Sequence, residues 1–192
     1  MKRPAIWWVL AGAAVLLLLI TWSWRRSRLE HGQDARILAA ARRYGVDPAL
    51  IKAVVWRESG FHPRAVGKAG EIGLMQVMDP AAQEWAEAER CYPLAEESLF
   101  DPATNTLAGA WYLRKMLQRY RNTDNPVAYA LADYNAGRGN VLKWSQGQAA
   151  TNSSAFLARM TFPGTRDYVA SVQARRELYR GDFPAATGPP SK

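Results

Sequence analysis

The feature that most constrains the fold is a recurring dipeptide, an aspartate or asparagine followed by proline, that precedes segments rich in alanine, leucine and aromatic residues. An Asx side chain is a preferred helix N-cap, and proline suits the first helical position because its φ is already helical and no N–H is needed there. The four examples are Asp47-Pro48, Asp79-Pro80, Asp101-Pro102 and Asn125-Pro126. No segment alternates β-branched and polar residues as a half-buried strand would. The sequence therefore predicts an all-α domain.

Apolar periodicity places the helices of this domain. We predict helices at about 34–44, 48–59, 80–90, 102–121, 126–136, 139–146 and 165–180. Residues 147–163 contain scattered Gln, Ser, Asn and Gly, and we expect them to form a flexible connection or a lid. Residues 181–192 are rich in proline and glycine and are predicted to be a disordered tail.

Residues 1–24 are predicted to form an N-terminal signal anchor that crosses a membrane as a single helix. Pro4 to Trp24 is an uncharged run of 21 residues, and as a helix it would be about 32 Å long, which matches a bilayer's hydrocarbon core. Tryptophans stand at both ends, as in interfacial aromatic belts. A cleaved signal peptide is the alternative, but no small-residue cleavage site follows the leucine run. A basic linker at 25–33 then leads to the domain at 34–180.

Positive charge is concentrated near the N-terminus. Of the formal net charge of +8, five charges come from residues 1–28, which contain no acidic side chain. The rest of the chain has no lysine- and arginine-rich block, so we expect no nucleic-acid partner. Basic side chains flank the apolar run on both sides, and the positive-inside rule therefore does not orient the helix.

The chain has few residues suited to metal or disulfide chemistry. Cys91 is the single cysteine, which excludes an intramolecular disulfide. His31 and His62 are the only histidines, and neither belongs to a metal-binding motif. We therefore predict no metal and no cofactor.

Glu58 is the strongest candidate for a catalytic residue. It follows Val54 and Val55 by four and three positions, so it lies on the same apolar stripe of the helix predicted at 48–59. Gly60 can adopt the left-handed conformation that ends a helix, which places Glu58 in the last turn. Burial and the negative end of the helix dipole both disfavour ionisation. The sequence therefore predicts a raised pKa, as a general acid requires.

Three further clusters contain candidate site residues: Gly73-Leu74-Met75-Gln76, Asp133-Tyr134-Asn135-Ala136-Gly137 and Thr165-Arg166-Asp167-Tyr168. Each alone has a structural explanation, as core filler, as a helix C-cap or as a half-buried aromatic residue. In this order, together with Glu58-Ser59, they resemble the catalytic domain of the soluble-lytic-transglycosylase-like family. The resemblance runs from about residue 35 to 179. It also includes Phe61, Pro63 and Ala65, Phe100-Asp101-Pro102 with Asn105, Gly109-Ala110-Trp111-Tyr112-Leu113, and Ala130-Leu131.

The resemblance implies a lysozyme-like α-helical fold with a glycan-binding groove, and it implies a role for each matched residue. Glu58 would be the single catalytic acid and base. The implied supporting and substrate-binding residues are Ser59 beside the glutamate, Met75 and Gln76 lining the sugar site, Tyr134 and Asn135 at the acetamido sugar, and Tyr168 hydrogen-bonded toward Glu58. Two positions depart from the family pattern. Glu71 stands where a small residue is frequent, and Gly164 replaces a frequent glutamate before Thr165.

The implied reaction is cleavage of the MurNAc-β-1,4-GlcNAc bond of peptidoglycan to leave 1,6-anhydro-MurNAc ends. A single carboxyl group is enough when the substrate's N-acetyl group assists, whereas most glycosidases need two carboxyl groups. Two alternatives remain open at this stage. One is a lysozyme-type muramidase in which Glu71, Asp79 or Asp133 positions a water molecule. The other is a non-enzymatic peptidoglycan-binding module of an envelope assembly.

The substrate also suggests a location and partners. Peptidoglycan strands lie outside the cytoplasmic membrane, so we expect the catalytic domain in the periplasm, held at the bacterial inner membrane by the single N-terminal helix. The expected partners are glycan strands, the membrane and a candidate trans-envelope machine.

Overall fold

The computed structural model describes residues 4–183, and its regular elements are all helices. Within these residues there is no β-strand, only two isolated bridges that join Val66, Ile72 and Val77 in one loop. This confirms the predicted all-α class. The α-helices are α1 (Pro4–His31), α2 (Asp34–Tyr44), α3 (Pro48–Ser59), α4 (Asp79–Ala88), α5 (Pro102–Arg119), α6 (Pro126–Ala136), α7 (Arg138–Trp144), α8 (Ser153–Arg159) and α9 (Pro163–Tyr179). Short 3₁₀ helices occupy Glu96–Phe100, Gly147–Ala150 and Arg180–Asp182.

Three of the four Asx-Pro dipeptides cap their helices as predicted. The side chains of Asp47, Asp101 and Asn125 each accept a hydrogen bond of 2.8–3.2 Å from a backbone N–H in the first turn. Asp79 is the exception, because α4 already begins at this residue and its carboxylate instead accepts a bond from Gln83 Nε2. A helix start was correctly predicted there, but the capping residue was wrong.

The core is built around α3, which packs chiefly against α9 and also against α2. The segment from Ala49 to Val55 is buried without interruption, so α3 is covered on all sides over two turns. A helix that is apolar all round belongs in the centre of a domain. Its first residue, Pro48, and its last turn, from Trp56 to Ser59, reach the surface.

One buried charge interrupts this apolar centre. The side chain of Lys52 is 0% exposed, and its Nζ lies 2.7 Å from Asp34 Oδ1, 2.8 Å from Asp182 Oδ2 and 3.2 Å from His31 Nδ1. The ring of Tyr179 lies 4.9 Å from the same ammonium group. The ammonium group thus connects the end of α1, the start of α2 and the C-terminal 3₁₀ helix to α3. His31, Asp34 and Asp182 lie close enough together to hold a metal ion, and here the Lys52 ammonium group provides the positive charge among them.

The connection predicted to be flexible is helical, and this prediction was wrong. Residues 147–163 contain a 3₁₀ turn, all of α8 and the first residue of α9. Phe156 is fully buried, and its ring stacks on that of Tyr129 at a centroid distance of 4.0 Å. Tyr129 also donates a 2.7 Å hydrogen bond to the carbonyl of Ala149. A seven-residue helix with one buried aromatic residue is too short to show periodicity, which is why the sequence did not reveal it.

The ends of the chain differ in part from the predicted boundaries. Residues 25–31, which we expected to belong to a linker, continue α1 as helix, and α9 begins at Pro163 rather than 165. Of the predicted tail, 181–183 form a turn packed on the domain, and 184–192 lie outside the described residues. Among residues 4–183, no helix has both the length and the hydropathy required to cross a membrane.

Candidate active site

Glu58 lies in the last turn of α3, where the sequence placed it. Gly60 ends the helix in the left-handed conformation, with φ of 58° and its N–H bonded to the carbonyl of Trp56. The Glu58 side chain is partly exposed, and its Oε1 accepts a 2.5 Å hydrogen bond from Tyr168 Oη in α9. The carboxyl group thus sits between a buried helix and the surface of the domain.

The surroundings of Glu58 favour its protonated form. The pKa of Glu58 is raised to about 7, chiefly by burial and to a smaller extent by the negative charge of Glu71. The hydrogen bond from Tyr168 and the charge of Arg57 act in the opposite direction, but burial has the largest effect. A pKa near neutrality lets this carboxyl group exist in both its protonated and its ionised form, so it can act as an acid or as a base.

Tyr168 is held in place as a hydrogen-bond donor to Glu58. It is only 2% exposed, and burial followed by the nearby Glu58 charge raises its pKa well above the usual value, so the phenol keeps its proton. The guanidinium group of Arg57 lies 5.7 Å from the centroid of the Tyr168 ring. Arg57 makes no ion pair with Glu58 in the part of the chain that the structure describes, as its position on the helix predicted.

The loop at 73–76 is fixed beneath the site by Asn105 of α5. This buried amide donates to the carbonyls of Ile72 at 2.8 Å and Leu99 at 2.9 Å and accepts from the N–H of Met75 at 2.8 Å. Gly73 has a φ of 79°, and a Cβ atom there would lie 2.3 Å from the Asn105 amide nitrogen. The glycine is therefore required both by the backbone conformation and by this close approach.

The side chain of Met75 does not face solvent. It is 0% exposed and packs so tightly against α5 that a Cβ atom on Gly109 would lie 2.5 Å from its sulfur. We expected Met75 to line the sugar site, but the structure places its side chain in the core beneath the loop. Its backbone carbonyl still belongs to the site, because it accepts a 2.7 Å hydrogen bond from Tyr134 Oη.

Ser59 and Tyr134 tie the same loop to its neighbouring helices. Ser59 Oγ donates to the carbonyl of Leu74 at 2.8 Å, which joins the end of α3 to the loop. Tyr134 lies in the last turns of α6, and its ring meets that of Tyr112 edge to face at 6.2 Å. Burial raises the pKa of Tyr134, and the charge of Glu58 raises it as well.

Gln76 and Asn135 have partly or fully exposed side chains at this site. Gln76 has a φ of 49°, and its Nε2 donates to the carbonyls of Ala65 at 3.2 Å and Gly73 at 3.0 Å. The Oδ1 atom of Asn135 accepts a 2.9 Å bond from Thr165 Oγ1 at the start of α9. Both side chains are thus oriented by the protein and retain polar atoms for a ligand.

The three other carboxylates proposed for a hydrolase occupy different settings. Asp133 is buried and accepts bonds from Arg119 and from Tyr120 Oη, and Asp79 is exposed beside Gln83. Of the three carboxylates, Glu71 is the one whose negative charge contributes to the raised pKa of Glu58. Its Oε2 accepts a 3.0 Å bond from the N–H of Ala69.

Sequence reasoning gave little indication of the part played by Asn105, Tyr112 and Gly109. Each was recognised only as a position in a longer motif, although Asn105 holds the loop, Tyr112 packs on Tyr134 and Gly109 leaves room for Met75. Asn105 has its bonding partners as far as 33 positions away, so a local pattern could not have revealed them.

Comparison with known proteins identifies the family. The family model described as "Transglycosylase SLT domain" matches residues 36–157. Membrane-bound lytic murein transglycosylase C of Edwardsiella ictaluri is 32% identical, over 73% of this chain and 42% of the relative. A putative soluble lytic murein transglycosylase of Haemophilus influenzae is 31% identical, over 83% of this chain and 26% of the relative.

A solved structure shows the same fold. An inactive glutamate-to-glutamine mutant of lytic transglycosylase Slt from Pseudomonas aeruginosa superimposes with a TM-score of 0.73 and 26% identity, covering 81% of this chain and 25% of the other. The chain thus spans less than half the length of these relatives. The family model covers well over half of the chain, and the chain belongs to the transglycosylase SLT domain family.

Proposed function

We propose that this chain is a lytic transglycosylase that cleaves the MurNAc-β-1,4-GlcNAc bond of peptidoglycan and leaves 1,6-anhydro-MurNAc ends. The observation that carries the proposal is the setting of Glu58, a carboxyl group with a pKa of about 7 bonded to Tyr168 at 2.5 Å. Family membership and the names of the relatives support the same activity.

In the first step, protonated Glu58 donates its proton to the oxygen that bridges the two sugars. The bond from C1 of the muramoyl residue to this oxygen breaks, and its electron pair leaves with the departing GlcNAc. The carbonyl oxygen of the muramoyl N-acetyl group stabilises the positive charge at C1, so no second carboxylate is needed. Tyr168 donates a hydrogen bond to the Glu58 carboxylate that this step creates.

In the second step, the Glu58 carboxylate accepts the proton of the muramoyl C6 hydroxyl. The oxygen of that hydroxyl bonds to C1 and closes the 1,6-anhydro ring, while Glu58 regains the proton that it lost. No water is consumed. A pKa near the working pH serves both steps, because the same group must first give and then accept a proton.

We assign substrate positioning to Gln76, Tyr134 and Asn135, and a supporting role to Ser59. The first three combine polar atoms with an orientation fixed by hydrogen bonds to the protein. Ser59 acts through the carbonyl of Leu74 and holds the loop against the end of α3. Met75 contributes its backbone carbonyl and the packing beneath the loop.

The lysozyme-type alternative requires a second acidic group that activates water. The carboxylate of Asp133 accepts hydrogen bonds from Arg119 and Tyr120, and that of Asp79 accepts one from Gln83. Glu71 is therefore the candidate for the group that activates water. Mass spectrometry of the products from purified sacculi separates the two reactions, because a transglycosylase leaves anhydro ends and a hydrolase leaves reducing ends. Mainly reducing ends would overturn the proposal. Intact sacculi after prolonged incubation would favour the non-enzymatic binding module.

We infer that α1 attaches the catalytic domain to the bacterial inner membrane, with the domain on the periplasmic side. The support is the uncharged run at 4–24, the exposure of its apolar side chains and the name of the membrane-bound relative. The described exposed side chains of this run are Trp8, Leu10, Val15, Leu16, Leu17, Leu18, Leu19, Ile20, Trp22 and Trp24. A C-terminal reporter active only in the periplasm, combined with membrane fractionation, tests both parts. A trans-envelope machine as partner stays a prediction.

A further inference from the structure

A cavity of about 760 Å³ lies between the second half of α1 and the end of α3, apart from the Glu58–Tyr168 pair. Its lining combines aromatic and basic side chains. The ones used in this argument are Trp22, Arg25, Arg26, Arg28, Trp56 and His62. An opening of this size can hold a polar headgroup and the start of its apolar chains.

The cavity is positively charged. Among the described residues, none of the three arginine side chains of α1 that line it, at 25, 26 and 28, forms an ion pair with a carboxylate. Glu30 also lines the cavity, but its Oε1 already accepts a 2.5 Å bond from Tyr179 Oη. The arginine side chains therefore have donors left for an anion. Guanidinium groups are suited to phosphate because two parallel N–H groups can bind two of its oxygens.

The aromatic faces of the cavity are already paired with cations. Arg26 lies 5.5 Å from the centroid of the Trp22 ring, and Arg175 lies 4.2 Å from that of Trp56. These rings are therefore not free to bind a quaternary ammonium group in the usual way. An anionic headgroup fits the cavity, whereas a headgroup that also carries choline does not.

The position of the cavity indicates where the anion comes from. The cavity is lined by the residues that directly follow the exposed apolar run of α1, and Trp22 belongs to both. In a membrane-attached helix, tryptophan and arginine at the end of an apolar run lie at the level of the lipid headgroups. The cavity is thus open to a lipid in the same leaflet.

We propose that this cavity binds the phosphate of an anionic phospholipid, an inference that rests on the membrane attachment proposed above. The bound lipid would contact α1 on one side and the Gly60–His62 turn on the other. This turn directly follows the helix that carries Glu58. The lipid would therefore hold the catalytic domain at a fixed height and orientation above the membrane.

The test measures binding of the full-length chain to vesicles of phosphatidylcholine, with and without phosphatidylglycerol. We expect attachment to both and a preference for the anionic vesicles of about 5-fold for each contributing arginine, or on the order of 100-fold for three. Changing Arg25, Arg26 and Arg28 together to glutamine should abolish the preference without preventing attachment to phosphatidylcholine. The matched control changes the exposed Arg42, Arg90 and Arg121 to glutamine, which removes the same charge elsewhere, and it should keep most of the preference.

A second variant distinguishes a shaped site from general attraction. Changing the three cavity arginines to lysine keeps the general attraction of three positive charges but removes the paired N–H groups that bind two phosphate oxygens, so the preference should fall measurably below that of the original chain. A lysine variant that binds like the original chain would overturn the proposal. So would a preference that millimolar inorganic phosphate abolishes at matched ionic strength, since the site would then take the free anion. Binding of soluble peptidoglycan fragments that requires these arginines would overturn it as well.

The outcomes also separate this inference from the proposals on which it rests. A chain that binds neither kind of vesicle contradicts the membrane attachment itself. Equal attachment to both kinds contradicts only the lipid site. Cleavage of soluble glycan fragments by the glutamine variant should be unchanged, because none of the three arginines belongs to the Glu58 site.

Discussion

Tyr168 donates a 2.5 Å hydrogen bond to Glu58 across the interface between α9 and α3. The two residues are 110 positions apart in the sequence, and their contact is made by the largest helix pairing in the domain. The bond stabilises the ionised carboxyl group, whereas burial stabilises the protonated one, and the resulting pKa lies at about 7. The balance between these two effects decides how readily Glu58 gives and accepts a proton.

Replacing Tyr168 with phenylalanine should raise the pKa of Glu58 further, because a bond to the charged form is lost while burial remains. A hydrogen bond to a charged group is worth roughly 1.5–3 kcal/mol, so the pKa should rise by about one to two. The first step needs protonated Glu58. The basic limb of the profile of kcat/KM against pH should therefore move upward by this amount.

The control for this experiment is Tyr120→Phe, which removes a tyrosine–carboxylate bond to Asp133. It should leave the basic limb where it is in the original chain. If the basic limb is unchanged in Tyr168→Phe, this limb does not arise from the titration of Glu58.

Replacing Glu58 with glutamine should remove nearly all activity. General acid–base assistance is worth about 10²–10⁴-fold, and here one group supplies both the acid and the base, so the loss should be at least of this order. The measurement is the release of soluble products from purified sacculi by full-length protein. The matched change is Glu71→Gln, which removes one nearby negative charge and should retain most of the activity. An equal loss in both variants would favour the hydrolase alternative.

The same Glu58→Gln variant should be more stable than the original chain at high pH. Between the ordinary carboxyl pKa of 4.5 and the folded value of about 7, the folded chain holds a proton that the unfolded chain has released. The free energy of unfolding of the original chain therefore falls as the pH rises through this interval and stays low above it. Glutamine imitates the protonated form and removes this loss.

Because Glu58 is partly exposed, we expect a gain on the order of 1–3 kcal/mol at pH 8, measured by urea unfolding, and none at pH 4. The comparison with pH 4 is the internal control, since both chains are then neutral at this position. A variant that is less stable than the original chain at pH 8 would show that folding does not raise the pKa of Glu58.

The site was predictable from the sequence to the extent that its residues are close together in the chain. Glu58 follows Val54 and Val55 on one helix face and precedes Gly60, so its position in the last turn and the direction of its pKa could be derived locally. Met75 was misjudged because a motif does not show which side of a loop faces the core. Its burial depends on α5, which lies some thirty positions further on.

Two features of the structure could not be read from the sequence for the same reason. Asn105 resembles an ordinary helix residue until its partners in the 72–75 loop are known. Lys52 occupies a position that a surface lysine would fit, but its partners come from α2 and from the C-terminal 3₁₀ helix. Long-range pairs of this kind arise only when the helices pack.

Replacing Asn105 with alanine should destabilise the domain and loosen the 73–76 loop. The change leaves the carbonyl of Leu99 and the N–H of Met75 without their partner in the core, whereas the carbonyl of Ile72 keeps the 2.9 Å bond from the N–H of Val77. Each unsatisfied buried group costs about 1–3 kcal/mol, so the free energy of unfolding should fall by about 2 kcal/mol or more. In protein that remains folded at low temperature, KM should rise because the 73–76 loop, which carries Gln76, is less firmly fixed.

The control for this variant is Asn140→Ala, which removes a single bond to the carbonyl of Ala136 in a partly exposed setting. We expect a loss of about 1 kcal/mol or less and an unchanged KM. A comparably small effect at Asn105 would show that the loop keeps its shape without the amide.

Replacing Lys52 with methionine should be strongly destabilising even though methionine is apolar and of similar length. The change leaves the carboxylates of Asp34 and Asp182 facing each other without the ammonium group that now lies within 2.8 Å of both. Removing one partner of a buried ion pair costs about 3–5 kcal/mol, and the partial exposure of the two carboxylates places the expected loss near the lower value. Thermal or urea unfolding of the full-length chain measures this loss.

Adding Asp34→Asn and Asp182→Asn to Lys52→Met should recover at least half of the lost stability, because the repulsion disappears together with the charges. If the triple variant is no more stable than Lys52→Met alone, the lysine acts through packing against Tyr179 and not through its charge.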